Sequence, residues 1–301
     1  MRPALLLIAL SFLLITCQQE KSTDDGSYKK EIEAWHQERV NNLKAPNGWL
    51  NLAGLYWLKS GANSFGSGKE NDLIFPENKI AGNAGVFLLQ NGQVSVLPAK
   101  GVQFYEDGNP FNGGKIFPPD SGNAMYLTHQ SLRFTVIKRN ERLGIRLRDD
   151  SMLEDVNLSG LVRFPVNKNY EVEGILISGT ENDSIDIANV LGQQTRQKSG
   201  GRFAFELLGE EFELTTIDEG GAELFIVFGD KTTGKETYGG GRFLYVPKPD
   251  QDGKTIIDFN RAINPPCVFT EFATCPLPPA YNKLGRAVEA GEKDYHHQPN
   301  Q

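Results

Sequence analysis

Cysteine and histidine are scarce in this chain, three and four among 301 residues. No paired CxxC and no HExxH occurs, so the usual zinc frameworks are excluded and no metal or cofactor is implied. No GxSxG surrounds any serine, and His36, His129, His296 and His297 have no recognisable catalytic partner, which argues against a Ser-His-Asp triad. Runs of Lys and Arg never exceed a pair. With a formal net charge of −7, the clustered positive field that nucleic-acid binding needs is not visible. Long apolar runs are missing too, apart from one at the start of the chain.

That run is informative. Met1-Arg2 is a positive n-region, Ala4 to Ile15 is apolar apart from Ser11, and Gln18 onward is abruptly polar. The stretch is too short to span a bilayer and has the layout of a secretory signal over residues 1–16. Leu14-Ile15-Thr16-Cys17 resembles a bacterial lipobox, although Thr16 stands where Gly, Ala or Ser is usual. The expectation is a diacylated Cys17, a polar tether over 17–27, and a soluble domain held at a membrane in the cell envelope, facing the periplasm or the cell surface. A plain signal peptide with an incidental cysteine is the alternative. Export would permit a disulfide between the remaining Cys267 and Cys275, a short loop that stiffens one segment.

What is abundant is turn chemistry: 32 glycines and 16 prolines punctuate short apolar runs. Tyr28, Ile32, Trp35 and Leu43 recur at helical spacing, with Ser27 as a cap and Pro46-Asn47-Gly48 as a stop. A helix over 28–45 follows, with Trp35 and Leu43 packed on the domain after it. From Trp49 the pattern turns to short strands, and Gln90-Asn91-Gly92-Gln93 signals a hairpin. The fold class is mainly β: two packed antiparallel units, sandwich- or barrel-like, near 48–155 and 160–292, the second ending in a Pro-rich tail. Asn63-Ser64-Phe65-Gly66-Ser67 distantly resembles the opening strands of forkhead-associated sandwiches. Ser67 stands where such domains place the arginine that binds phosphopeptide, so phosphothreonine recognition is not implied.

Gly229 to Lys235 imitates a P-loop, but Glu236 replaces the magnesium-binding hydroxyl and a strand follows instead of a helix. A turn between strands is the better reading. The dense polar region is C-terminal, and Tyr238, Arg242, Asp258 and Asn260 form the candidate polar site. Asp258 and Asn260, two apart on one strand, would point the same way, and Arg242 on a neighbouring strand would pair with Asp258. Such a set could bind a small polar ligand or place a general acid/base for hydrolysis. It could equally be a buried network pinning the tail.

The chain is similar to the bacterial family known as domain of unknown function 1684. The resemblance rests on Gly48-Trp49-Leu50, Gly54 to Leu58 and Arg146-Leu147-Arg148-Asp149. It continues through Thr237 to Leu244, Asp258 to Ala262 with Asn264 to Cys267, Cys275 to Pro279, and Glu289 to Glu292. It implies no activity. The functional expectation is therefore a non-catalytic envelope module binding a small polar ligand or a protein partner, with a hydrolase-like enzyme as the alternative.

Overall fold

The computed structural model describes residues 25–120, 122–139, 141–178 and 183–295. The expected signal segment, Cys17 and most of the expected tether lie outside the described residues. Helix α1 (Asp25–Lys44) starts before the expected Ser27 cap, and Gly48 follows it in the turn that ends it. Tyr28, Ile32 and Leu43 are buried.

The first unit is a two-sheet sandwich. Its strands are β1 (Leu52–Trp57), β2 (Gly61–Gly66), β3 (Leu73–Ile74), β4 (Gly85–Gln90), β5 (Gln93–Pro98) and β6 (Phe104–Glu106). Then come β7 (Asn109–Phe111), β8 (Gly114–Phe117), β9 (Leu127–His129), β10 (Leu132–Arg139) and β11 (Arg142–Asp149). One sheet runs β1-β11-β10-β9-β6-β7 and the other β3-β2-β4-β5-β8. All pairs are antiparallel except β2 with β3, which is parallel. Alternation buries Phe65 and Phe87 from one sheet against Phe104 and Phe134 from the other, with ring centroids 4.2 to 6.2 Å apart. The Asn91-Gly92 loop has φ of 50° and 75° between β4 and β5. This is the two-residue turn whose twist matches the flanking strands, and it sets their register from Gln90–Gln93 to Gly85–Pro98.

The second unit is a single curled sheet. It comprises β12 (Glu171–Ser178), β13 (Ser184–Ala188), β14 (Gln194–Leu207), β15 (Glu210–Ile217), β16 (Glu223–Phe228), β17 (Arg242–Pro247) and β18 (Lys254–Asp258). Its path is β17-β16-β15-β14-β12-β18, and β13 pairs with the first half of β14. The edge strands approach one another where the Thr255 hydroxyl donates to Pro247 O at 2.7 Å, so the sheet is nearly closed. Phe203, Leu214, Ile226, Phe228, Leu244 and Ile257 fill it. The 229–241 stretch that imitates a P-loop is the turn joining β16 to β17.

One expectation about packing is corrected. Trp35 does not pack on the sandwich that follows it in sequence. It packs with Phe225, Phe243, Ile263 and Cys275 of the second unit. Helix α1 thus completes the curled sheet, and the sandwich is inserted in the chain between the helix and the sheet it covers. The pattern of α1 shows an apolar face but carries no information about which unit offers the complementary surface.

Candidate functional site

The four residues singled out in the C-terminal region do not form one site. Arg242 begins β17 with no exposed side-chain surface. Its Nη2 donates to Asp230 Oδ2 at 2.8 Å and to Val288 O at 2.9 Å, and its Nη1 donates to Ala290 O. The guanidinium carbon lies 5.1 Å from the Phe228 ring centroid. Asp230 Oδ1 in turn accepts the amides of Thr232 at 2.7 Å and Val288 at 3.3 Å. Burial pushes the Arg242 pKa down, and the Asp230 carboxylate opposes that shift. Gly241 makes the approach possible, because at φ of 81° a Cβ would come within 2.6 Å of Phe228 O.

Asp258 belongs to a second knot. Its Oδ1 accepts the Tyr28 hydroxyl at 2.8 Å and the Asn260 amide at 3.0 Å, and its Oδ2 accepts Arg261 Nε at 3.2 Å. Asn260 donates from Nδ2 to Asn167 O and accepts Asn167 N, at 2.9 and 3.0 Å. Burial, then the Asp258 charge, raises the Tyr28 pKa far above that of a free phenol. The expected Arg242–Asp258 pair is therefore corrected to Arg242–Asp230. The β16–β17 register sets Phe228 opposite Arg242, which brings Asp230 close in space. Asp258 instead caps the 3-10 turn Phe259–Arg261 at the other edge of the sheet. Asn260 reaches Asp258 by that turn, not by strand alternation. Tyr238 is half-buried in the 229–241 turn and belongs to neither knot. No cavity described in the structure is lined by Arg242, Asp258 or Asn260. A third knot, Arg39 with Glu292 at 3.3 Å and Asn264 N on Glu292 Oε2 at 2.7 Å, ties α1 to the tail.

An open site lies elsewhere, between the two units. A cleft of about 530 Å³ is lined by Trp49, Phe225, Phe243 and Tyr245, by the amides of Asn189, Gln193 and Gln197, and by Lys138, Arg139 and Glu219. It shares Trp49, Arg139, Phe243, Pro266, Thr274 and Pro276 with a recess of about 160 Å³ that adds Arg146, Arg148 and Cys275. Cys267 and Cys275 are joined as a disulfide, Cα atoms 6.1 Å apart, so the recess wall is a cross-linked loop. Tyr245 stacks on Phe225 at 5.0 Å.

The arginines come from strand alternation. β10 and β11 pair Arg133 with Arg148, Thr135 with Arg146, and Arg139 with Arg142. These side chains stand on the face turned away from the phenylalanine core. Arg148 is committed to Asn51 Oδ1 at 2.6 Å and to Gly48 O, and Arg133 to Asn47 Oδ1 at 2.9 Å. Arg146 Nε is buried and has no hydrogen-bond partner among the described residues. Burial, then repulsion from Arg139 and Arg148, pushes its pKa down to about 10. Sequence reasoning missed this site. Arg142, Arg146 and Arg148 on one face of a strand were the available signal, but alternation alone does not show what that face meets. Among the described residues, no group of three or more His, Cys, Asp and Glu is placed to hold a metal.

Three comparisons with known proteins bear on identity. The family described as "Protein of unknown function (DUF1684)" matches residues 157–293, the second unit with its tail, and leaves the motifs in the first unit outside the match. The solution NMR structure of an uncharacterized protein from gene locus rrnAC0354 of Haloarcula marismortui is 31% identical. The match covers 44% of this chain and 75% of that one, with a TM-score of 0.37. Two FHA-domain structures also match at 10% identity over 31% of this chain, each with a TM-score of 0.22. One is the FhaA FHA domain complexed with the intracellular domain of Rv3910, matched over 97% of its length. The other, from a study of phosphothreonine-dependent FHA domain interactions, is matched over 92%. Among curated proteins, none matches. The family match over residues 157–293, the second unit with its tail, places this chain in the DUF1684 family.

Proposed function

We propose that this protein is a non-catalytic envelope module, anchored through Cys17, that binds a small polar ligand in the cleft between its two units. The single observation that carries the reading is the composition of that cleft. It combines aromatic faces, side-chain amides and the Arg139 guanidinium in a concavity of ligand size, and it adjoins the recess lined by Arg146, whose buried Nε has no partner among the described residues. The hydrolase alternative loses its main support, because Arg242, Asp258 and Asn260 are committed to buried knots and line none of the cavities described above. The anchor rests on residues 1–17 of the sequence. Among the described residues, no helix is long and apolar enough to cross a membrane.

Equilibrium dialysis against a low-mass extract of a producing cell's envelope tests the reading. The wild type should retain a compound that the Tyr245→Ala variant does not, since Tyr245 lines the cleft without joining the core. Equal retention by both forms, or none by the wild type, refutes it.

A further inference from the structure

We infer, resting on the cleft reading, that the ligand is a small organic oxyanion, and that Arg146 takes its phosphate or carboxylate group in the recess beside the Cys267–Cys275 loop. Three features of the recess point there. First, it is lined by Arg139, Arg146 and Arg148 and by no Asp or Glu, in a chain whose net charge is −7. Carboxylates elsewhere neutralise the buried arginines, as Asp230 does for Arg242 and Glu292 for Arg39. Here nothing does.

Second, the three guanidiniums differ in how far they are committed. Arg148 is held by Asn51 Oδ1 and the carbonyl of Gly48, so it supplies charge at a fixed position. Arg139 is exposed and, among the described residues, its side chain bonds the carbonyl of its neighbour Lys138, so it can swing onto a ligand. Arg146 sits between them with no hydrogen bond and no ion pair among the described residues, and its buried Nε–H is unpartnered. A buried donor without an acceptor is costly, and an oxyanion placed in the fork of Nε and an Nη would satisfy it in the bidentate geometry guanidinium favours.

Third, the mutual repulsion of these charges is a cost that a bound anion would reverse. Burial, and after it that repulsion, depresses the pKa of Arg146. The adjoining larger cleft offers Trp49, Tyr245 and the amides of Asn189 and Gln193 to the rest of the molecule. A charged group at one end and a polar, ring-bearing body at the other fits this division.

The test uses the full soluble chain and three probes at constant low ionic strength: inorganic phosphate, acetate and uncharged glucose. Nitrogen-15 NMR follows the Arg146 Nε–H resonance. Phosphate, acetate or both should shift that resonance saturably, with Kd of about 1 to 10 mM, as a fragment of a larger ligand would. Glucose should leave it unmoved. Comparison of the two anions tells a phosphate site from a carboxylate site. Arg146→Gln should weaken anion binding at least about tenfold without loss of fold, because it removes a charge that has no partner. Arg139→Gln, on an exposed side chain, serves as the second variant and should weaken binding less.

Anion binding undiminished in both variants, or an Arg146 resonance unmoved up to about 50 mM of either anion, overturns the inference. A neutral compound retained in the dialysis experiment would overturn it while leaving the cleft reading intact. No retained compound would instead remove the cleft reading itself.

Discussion

Replacing Asp230 by alanine should be among the most damaging single changes in the second unit. The Arg242 guanidinium has no exposed surface and would keep only the carbonyls of Val288 and Ala290 as partners. Its charge would then be buried without a counter-ion, and breaking such a pair from one side costs about 3 to 5 kcal/mol. The amides of Thr232 and Val288 lose their acceptor at the same time, which pushes the cost toward the upper end. Glu213→Ala is the control on the same sheet. It breaks an ion pair with Arg202 at 2.9 Å in which both side chains are about half exposed, and it should cost under about 1 kcal/mol. Urea unfolding, followed by far-UV circular dichroism and by the fluorescence of Trp35 and Trp49, reads both. Trp35 and Trp49 pack against the second unit and report its loss even if the sandwich unfolds separately. If Asp230→Ala costs no more than Glu213→Ala, the account of Asp230 as the counter-ion of a buried Arg242 is wrong.

Tyr28→Phe removes a hydroxyl that donates to Asp258 and accepts from Asn260, and should cost about 1 to 2 kcal/mol in the same assay. Because the folded-state pKa of Tyr28 is raised, its contribution is complete below the free phenol value near 10 and is lost as pH climbs above it. Wild-type stability should therefore fall above about pH 10, and a fall of the same steepness in the variant would contradict this. Thiol alkylation of denatured, unreduced protein should leave Cys267 and Cys275 unmodified. Their replacement by serine should cost about 2 to 3 kcal/mol for so short a loop, and two alkylated cysteines in that segment would exclude the bridge. Metabolic labelling with a fatty-acid analogue should tag the wild type and spare Cys17→Ser; equal labelling would end the lipid-anchor proposal.

Elements governed by local chemistry were legible before the structure. Asn91-Gly92 specified its turn by conformational preference, and the runs Leu132 to Ile137 and Arg242 to Val246 specified strands, although Phe243 is buried on the face of the second that alternation left wet. Partnerships between distant residues were not legible. Arg242 could have paired with any of several carboxylates. The choice of Asp230 follows from the β16–β17 register and the turn after it, which periodicity does not encode. The candidate cleft was invisible for the same reason. Arg139, Arg146 and Trp49 are separated in sequence from Phe243 and Pro276, and only the docking of the two units makes them neighbours. What marks Arg146 is an unpartnered donor on the wall of an open recess, and that combination has no sequence signature.

Helix α1 is the first described element of the chain, yet Tyr28, Glu33 and Arg39 hold Asp258, Arg163 and Glu292. During synthesis the helix therefore emerges more than two hundred residues before its last clamp exists. The intervening sandwich has its own phenylalanine core and can order while the helix waits. A helix of 20 residues gains little from its own backbone, so Ile32 and Trp35 stay uncovered until the final segment arrives. A chain that stops short of Asp258 would keep that apolar stripe on display for proteases and chaperones. The covering of helix α1 thus reports that the segment from Asp258 to Glu292 has been made.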